Sequence, residues 1–213
     1  MAYPVPVSLS PSAVNQFGNC GQAFKFKYID RLPTPDSLAM LKGNIVHDAL
    51  FRFYYRPQEY AGDLARCVWE ACEAEGEAAA GLLDECDALA KNIFQLEVPN
   101  EVVPMGCELR LDLPLAGHGA VGIIDRLDLT PSGDIIVVDY KTGKVPQKRD
   151  EANKLQGVMF YAMMIEEMLG VRPALVKLMY LSKPVTISAV PTDTIMRGLR
   201  MRRRRRRRRW AGR

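Results

Sequence analysis

The sequence predicts a mixed α/β domain in which helices cover a β-sheet. Three observations carry that prediction. Residues 121–141 read as a β-hairpin, helical segments with apolar stripes precede it, and one long helix and two further strands follow it. A chain of 213 residues can bury one good core, and a hydrophobic content of 48% with 25% charged residues is ordinary for a globular protein. No apolar run is long enough to span a membrane, and Met1-Ala2-Tyr3-Pro4-Val5-Pro6 lacks the basic-then-apolar layout of a signal peptide. The expected location is therefore cytoplasmic, with no membrane partner.

Each element follows from its local pattern. Ser10-Pro11-Ser12 opens a helix, with Ser10 as N-cap and Pro11 at the first helical position. Residues 23–29 mix aromatic and basic side chains (Phe24, Lys25, Phe26, Lys27, Tyr28), which suits either an amphipathic helix over the core or one that touches nucleic acid. A second helix starts near Asp36 or Ser37 and runs to about Tyr55, with Leu41, Ile45, Ala49 and Phe53 as its apolar stripe. His47 lies one turn after Gly43, where the missing side chain permits close approach to another backbone. By position alone His47 is more often a structural residue than a ligand. Residues 61–96 read as one or two helices with breaks at Gly76 and Gly81, and nothing there suggests chemistry. Cys107, Leu109, Leu111, Leu113 and Leu115 alternate as one face of a strand, which turns Glu108 away from that face. Glu151 to Leu169 forms a helix capped by Gly170, residues 174–181 and 185–190 form strands, and Thr192-Asp193 opens a last helix.

The hairpin holds the chemistry. Val121, Ile123, Asp125, Leu127 and Leu129 alternate onto one face of its first strand, and Ile135, Val137, Asp139 and Lys141 onto one face of its second. A three-residue loop of Pro131, Ser132 and Gly133 sets Thr130 opposite Asp134, and so Asp125 opposite Asp139. Directly opposed β-carbons lie about 4.5–5.5 Å apart. Two carboxylates that close, among Ile and Val, repel unless a cation lies between them. Mg²⁺ or Mn²⁺ suits such oxygen ligands, and Lys141 on the same face is placed to hold or deprotonate a water beside the ion. The plainer reading is a set of ion pairs, Asp125 with Lys141 and Asp128 with Arg126.

Taken together these residues resemble the PD-(D/E)xK nucleases, in particular their RecB-like exonuclease branch with its CRISPR-associated and phage-encoded relatives. Leu9-Ser10-Pro11-Ser12, Cys20 and residues 24–33 resemble the N-terminal segment; Gly43 to His47 resembles G-x-x-x-H; Gly122 to Asp128 resembles G-x-x-D-R-x-D. Asp139 to Lys144 resembles D-Y-K-T-G-K, and Gln156 to Tyr161 resembles Q-x-x-x-x-Y. The resemblance implies a restriction-endonuclease-like core, a mixed central β-sheet flanked by helices, over residues 1–195. It implies that His47, Asp125, Asp139 and the Tyr140 carbonyl hold Mg²⁺ or Mn²⁺, and that Lys141 positions the attacking water. Gln156, Tyr161 and Arg126 then support the site or touch DNA. The implied activity is DNA exonuclease, in recombination, repair or phage replication, alone or with a helicase or recombination partner. An inactive nuclease fold that only binds DNA or a partner protein is the rival reading.

Many such relatives carry an iron–sulfur cluster held by one N-terminal and three C-terminal cysteines. Here Cys20 stands at the first position and no cysteine follows Cys107, the others being Cys67, Cys72 and Cys86. Four thiolates are the usual requirement, so no cluster is expected in this chain. The net charge of +4 includes eight positives at Arg202 to Arg209, so the remainder carries −4. Residues 196–213 are therefore expected to form a basic helix or tail for phosphate contact.

Overall fold

Strand β3 (His118–Leu129) is the member from which the sheet is laid out in the computed structural model, which describes residues 8–33, 37–55, 63–115 and 118–199. Strand β2 (Pro104–Leu115) runs antiparallel along one edge of β3. The other edge is divided. Strand β1 (Ser8–Leu9) pairs in parallel with Gly119 and Ala120, while β4 (Ile135–Lys141) pairs antiparallel with Arg126 to Leu129. Among the described residues, 121–125 have no strand partner on that edge. Strand β5 (Leu175–Tyr180) lies parallel to β4, and β6 (Val185–Ala189) closes the sheet antiparallel to β5.

Helices cover both faces, as the α/β reading requires. On one face α3 (Leu38–Tyr55), α4 (Leu64–Glu75) and α5 (Leu83–Lys91) pack over Val138, Tyr140 and Met179. On the other, α6 (Glu151–Leu169) packs over Leu127, Val137, Val176 and Leu178. Parallel β4 and β5 need a long crossover, and α6 supplies it. The last described helix, α7 (193–199), straddles the boundary expected at residue 195: Met196 is fully buried and Leu199 packs beside it. The run Arg202 to Arg209 lies outside the described residues.

Local signals account for most boundaries. Ser10 accepts from the Ala13 N–H at 3.1 Å and Pro11 opens α1 (Pro11–Asn19). The Cys20 thiol caps α2 (Gly21–Phe24), which widens into a π-helical turn over Lys25–Ile29. Ser37 caps α3, and Ile45, Ala49 and Phe53 are buried with Leu41 packed against them. The long apolar stretch after residue 61 divides at Gly76 and Gly81 into α4 and α5, whose Cys67, Cys72 and Cys86 are small core residues. Gly170 takes φ 70° and its N–H reaches the Glu166 carbonyl at 3.0 Å, which ends α6.

The hairpin turn forms as the loop chemistry dictates. Gly133 takes φ 84°, and its N–H donates to the Thr130 carbonyl at 2.9 Å. The resulting register pairs Leu129 with Ile135 and Arg126 with Val138. Extended by one step it places Asp125 opposite Asp139, but the ladder stops at Arg126.

Two expectations about strand faces fail, for one reason. Ile124 and Leu127 pack in the same cluster beneath α6, although they are three residues apart, so strict alternation breaks at Asp125. On β2, Leu111 lies in that cluster with Leu109 and Leu113 against it, whereas Cys107 is buried on the α3 face. Glu108, between Cys107 and Leu109, takes φ 48°, a left-handed conformation that turns the strand over. Both strands therefore exchange faces at the same level. Strand β1, only two residues long, has no alternation to betray it and was not anticipated.

Candidate active site at the fork of β3 and β4

Where β3 and β4 part, a side chain takes over from the backbone. Asp125 Oδ2 accepts the Tyr140 N–H at 2.6 Å, so the carboxylate stands in for the carbonyl that a continued ladder would supply. The other oxygen, Oδ1, lies 3.4 Å from His47 Nδ1. Asp139 and Lys141, two residues apart on β4, form an ion pair through Oδ2 and Nζ. That oxygen is buried, with the Lys141 ammonium against it. The plainer pairing of Asp125 with Lys141 is thus not the one found, whereas Arg126 with Asp128 is.

His47 reaches the fork because α3 comes close to the strand end. A Cβ on Gly43, one turn earlier, would lie 3.3 Å from Thr142 Oγ1. The expected close approach at Gly43 is therefore real, and it is made to a side chain rather than to bare backbone. Glu108 joins from β2: one ligand atom from each of His47, Glu108 and Asp125 lies within 4.8 Å of the others. The left-handed turn at Glu108 that breaks the alternation is what brings it here, correcting the expectation that it faces away. The β2–β3 register shifts only between Pro104 and Gly106 and is regular on both sides of Glu108, so no bulge in the pairing marks this turn.

Crowded acids raise one another's pKa. Burial, and then the charge of Asp125, push Glu108 up to about 7. The same two causes raise Asp139 above the ordinary carboxylate range, against the opposing pull of Lys141. Burial lowers His47, but its hydrogen bond to Asp125 and the charges of Asp125 and Asp139 prevail, and its pKa is raised. Lys141 loses by burial and gains more from Asp139, so it too is raised and stays charged. The excess of negative charge from three carboxylates gathered at the fork fits a cation site. His47, Glu108 and Asp125 offer the nitrogen and oxygen donors that a divalent metal takes, and Asp139 lines the same cleft.

The other expected residues divide between rim and support. Gln156 and Tyr161, on α6, line the same cleft as His47, Asp125, Asp139 and Lys141. Tyr161 lies against β3: a Cβ on Gly122 would fall 2.5 Å from its Cε1, so glycine there makes room for the ring. Arg126 belongs behind the fork and not at a substrate surface, being 0% exposed. Its guanidinium donates to both oxygens of Glu97 at 2.6 and 2.8 Å, to both of Asp128 at 2.8 and 3.0 Å, and to the Tyr140 hydroxyl at 2.7 Å. Tyr54 lies across it, with the guanidinium carbon 4.2 Å from the ring centroid. Charge-assisted, bidentate bonds of this kind make the pairing directional as well as strong. The Tyr140 side chain is therefore engaged on the α3 face, and only its main chain is left for the site. Cys20 is exposed at the junction of α1 and α2, while the other cysteines are buried in the core around α3 to α5.

Comparison with known proteins bears on the fold and on the family. A crystal structure of a "putative exonuclease" from Eubacterium rectale superposes over 97% of this chain and 82% of its own, with a TM-score of 0.54 at 14% identity, which speaks for the fold. An uncharacterized protein of Rickettsia typhi is 42% identical over 43 residues, 20% of this chain, and the chain spans only 5% of that protein's length. Residues 8–205 match the model of the PD-(D/E)XK nuclease superfamily, so the match takes in every element from β1 to α7. That match makes this chain a member of the PD-(D/E)XK nuclease superfamily.

Proposed function

We propose that the chain is a metal-dependent DNA exonuclease of the RecB-like branch. The observation that carries this reading is the convergence of Asp125, Asp139, Glu108 and His47 on the fork, with Lys141 paired to Asp139. His47, Asp125 and Asp139 would hold Mg²⁺ or Mn²⁺, with the Tyr140 carbonyl and Glu108 as further donors. Bound there, such an ion supplies charge neutralisation at the scissile phosphate and a lower pKa for the attacking water. Lys141 orients that water, and its positive charge offsets the negative charge gathering on the phosphate. A P–O bond to water forms as the bond to the leaving nucleotide oxygen breaks, and the proton passes to solvent through the acidic cluster.

Gln156 and Tyr161 line the cleft and hold the strand against the fork. Roles in recombination, repair or phage replication, a cytoplasmic location, and work beside a helicase belong to the same proposal. The described helices include none long and apolar enough to cross a membrane.

The test uses end-labelled linear DNA and covalently closed circular DNA, with Mg²⁺, Mn²⁺ or chelator. Metal-dependent loss of the linear form alone is expected. Lys141→Ala lowers the rate by roughly 10²–10⁴-fold, the usual range for loss of a group that handles the reacting proton. Equal attack on circles would make the protein an endonuclease. Binding of DNA without cleavage in any metal would favour the inactive binding module.

A further inference from the structure

We propose that the bound strand passes along residues 141–154, and that Lys154 holds a phosphate adjacent to the one that is cut. The proposal rests on the nuclease reading above and adds a subsite to it. The cleft is lined by two unlike sets of residues. His47, Asp125 and Asp139 make one, and Asn153, Lys154 and Gln156, from the first turns of α6, belong to the other, with Asp150 just ahead of them. An acidic wall serves the reacting phosphate through a cation, but the neighbouring phosphates need positive charge of their own. Lys141 cannot give it, since its ammonium is committed to Asp139. Lys154 lines the same cavity and makes no ion pair among the described residues, so its charge is available to an incoming anion.

The chain around the cleft gives this contact a direction. Residues 141–154 hold five cations (Lys141, Lys144, Lys148, Arg149 and Lys154) against Asp150 and Glu151, a net charge of +3. Lys144 and Lys148 are exposed. Across the molecule, residues 63–101 hold ten acids against Arg66 and Lys91, and with Glu85, Glu70 and Glu97 paired to Lys42, Arg52 and Arg126 the layer keeps a net of −5. A polyanion entering the fork is repelled from the layer of α4 and α5 and attracted along the segment that joins β4 to α6. Phosphate contacts of this kind position a strand without reading its bases.

The test measures both binding and turnover. Binding of a 5′-fluorescein-labelled single-stranded oligonucleotide is followed by anisotropy in Ca²⁺ across a salt series, for the intact protein, Lys154→Gln and Lys154→Glu. Lys91→Gln, on the acidic layer, is the control. Loss of one phosphate contact lowers the slope of log K against log salt by about 0.7 for a single strand and weakens binding roughly three- to tenfold at moderate salt. In the nuclease assay KM rises by more than kcat falls, whereas a general loss of folding leaves the slope unchanged. An unaltered slope and KM in both Lys154 variants overturns the subsite even where the intact protein degrades DNA. If the intact protein binds DNA without cutting it and the slope still falls, the path stands and the nuclease reading fails.

Discussion

Asp139, Glu108 and His47 are all held above their ordinary pKa values, which gives the fork a common direction of response to pH. A group whose folded pKa is raised contributes stability below its unfolded value and loses it as pH rises through the folded value. For Glu108 that window runs from about 4.5 to about 7. The thermal midpoint of the metal-free protein should accordingly fall between pH 5 and pH 8, and Glu108→Gln should flatten the fall. A midpoint that climbs over that interval, equally in both proteins, would refute the electrostatic account. Asp125, Asp139 and Lys141 were legible because a single turn sets their register, and His47 because G-x-x-x-H accompanies them in the resemblance. Glu108 was not, since counting alternate residues presumes a regular strand, and its left-handed φ breaks the count.

Each secondary element contributes one constraint to the fork, and the tightest lies between β3 and α6. Gly122→Ala would drive a methyl into the Tyr161 ring, and overpacking of this sort costs about 1–3 kcal/mol. The expected result is a lower midpoint and slower hydrolysis. The cost should shrink when Tyr161 is first changed to Ala, because the two residues then no longer meet. The same penalty in both backgrounds would show that the close contact is not its source. Opposite this contact, Arg126 joins β3 to Glu97 beyond α5, to Tyr54 of α3 and to Tyr140 of β4. Removing a buried cation from two carboxylates typically costs 3–5 kcal/mol, which explains why a charge is retained at a position of zero exposure. Helices α1 and α3 to α6 were readable from caps and apolar spacing. Of the Arg126 site only the pair with Asp128 was readable, because Glu97 follows a stretch whose composition is only that of ordinary surface helices.

At the scale of the whole molecule, the gathered ligand group His47, Glu108 and Asp125 comes from α3, β2 and β3, with Asp139 of β4 in the same cleft, so an ion bound there would tie the strands to the helical layer. Ligand binding to the folded state alone adds about 2.7 kcal/mol at a hundredfold excess over Kd, or roughly 5–10 °C in a chain of this size. Mn²⁺ or Mg²⁺ should raise the midpoint by that order and do so much less in Asp139→Asn; no shift with either ion would remove the metal from the account. Two buried clusters, one on each face, meet at the sheet where the strands exchange faces, and the fork lies at that level. The alignment of its two aspartates is decided several residues away, by the turn from Thr130 to Asp134. Hairpins close in about 1–10 μs, well before distant strands find one another. The match between Asp125 and Asp139 is therefore made early, by a local event, in a stretch that performs no chemistry. One residue more or fewer in that turn would slide one strand past the other and send an aspartate to the opposite layer.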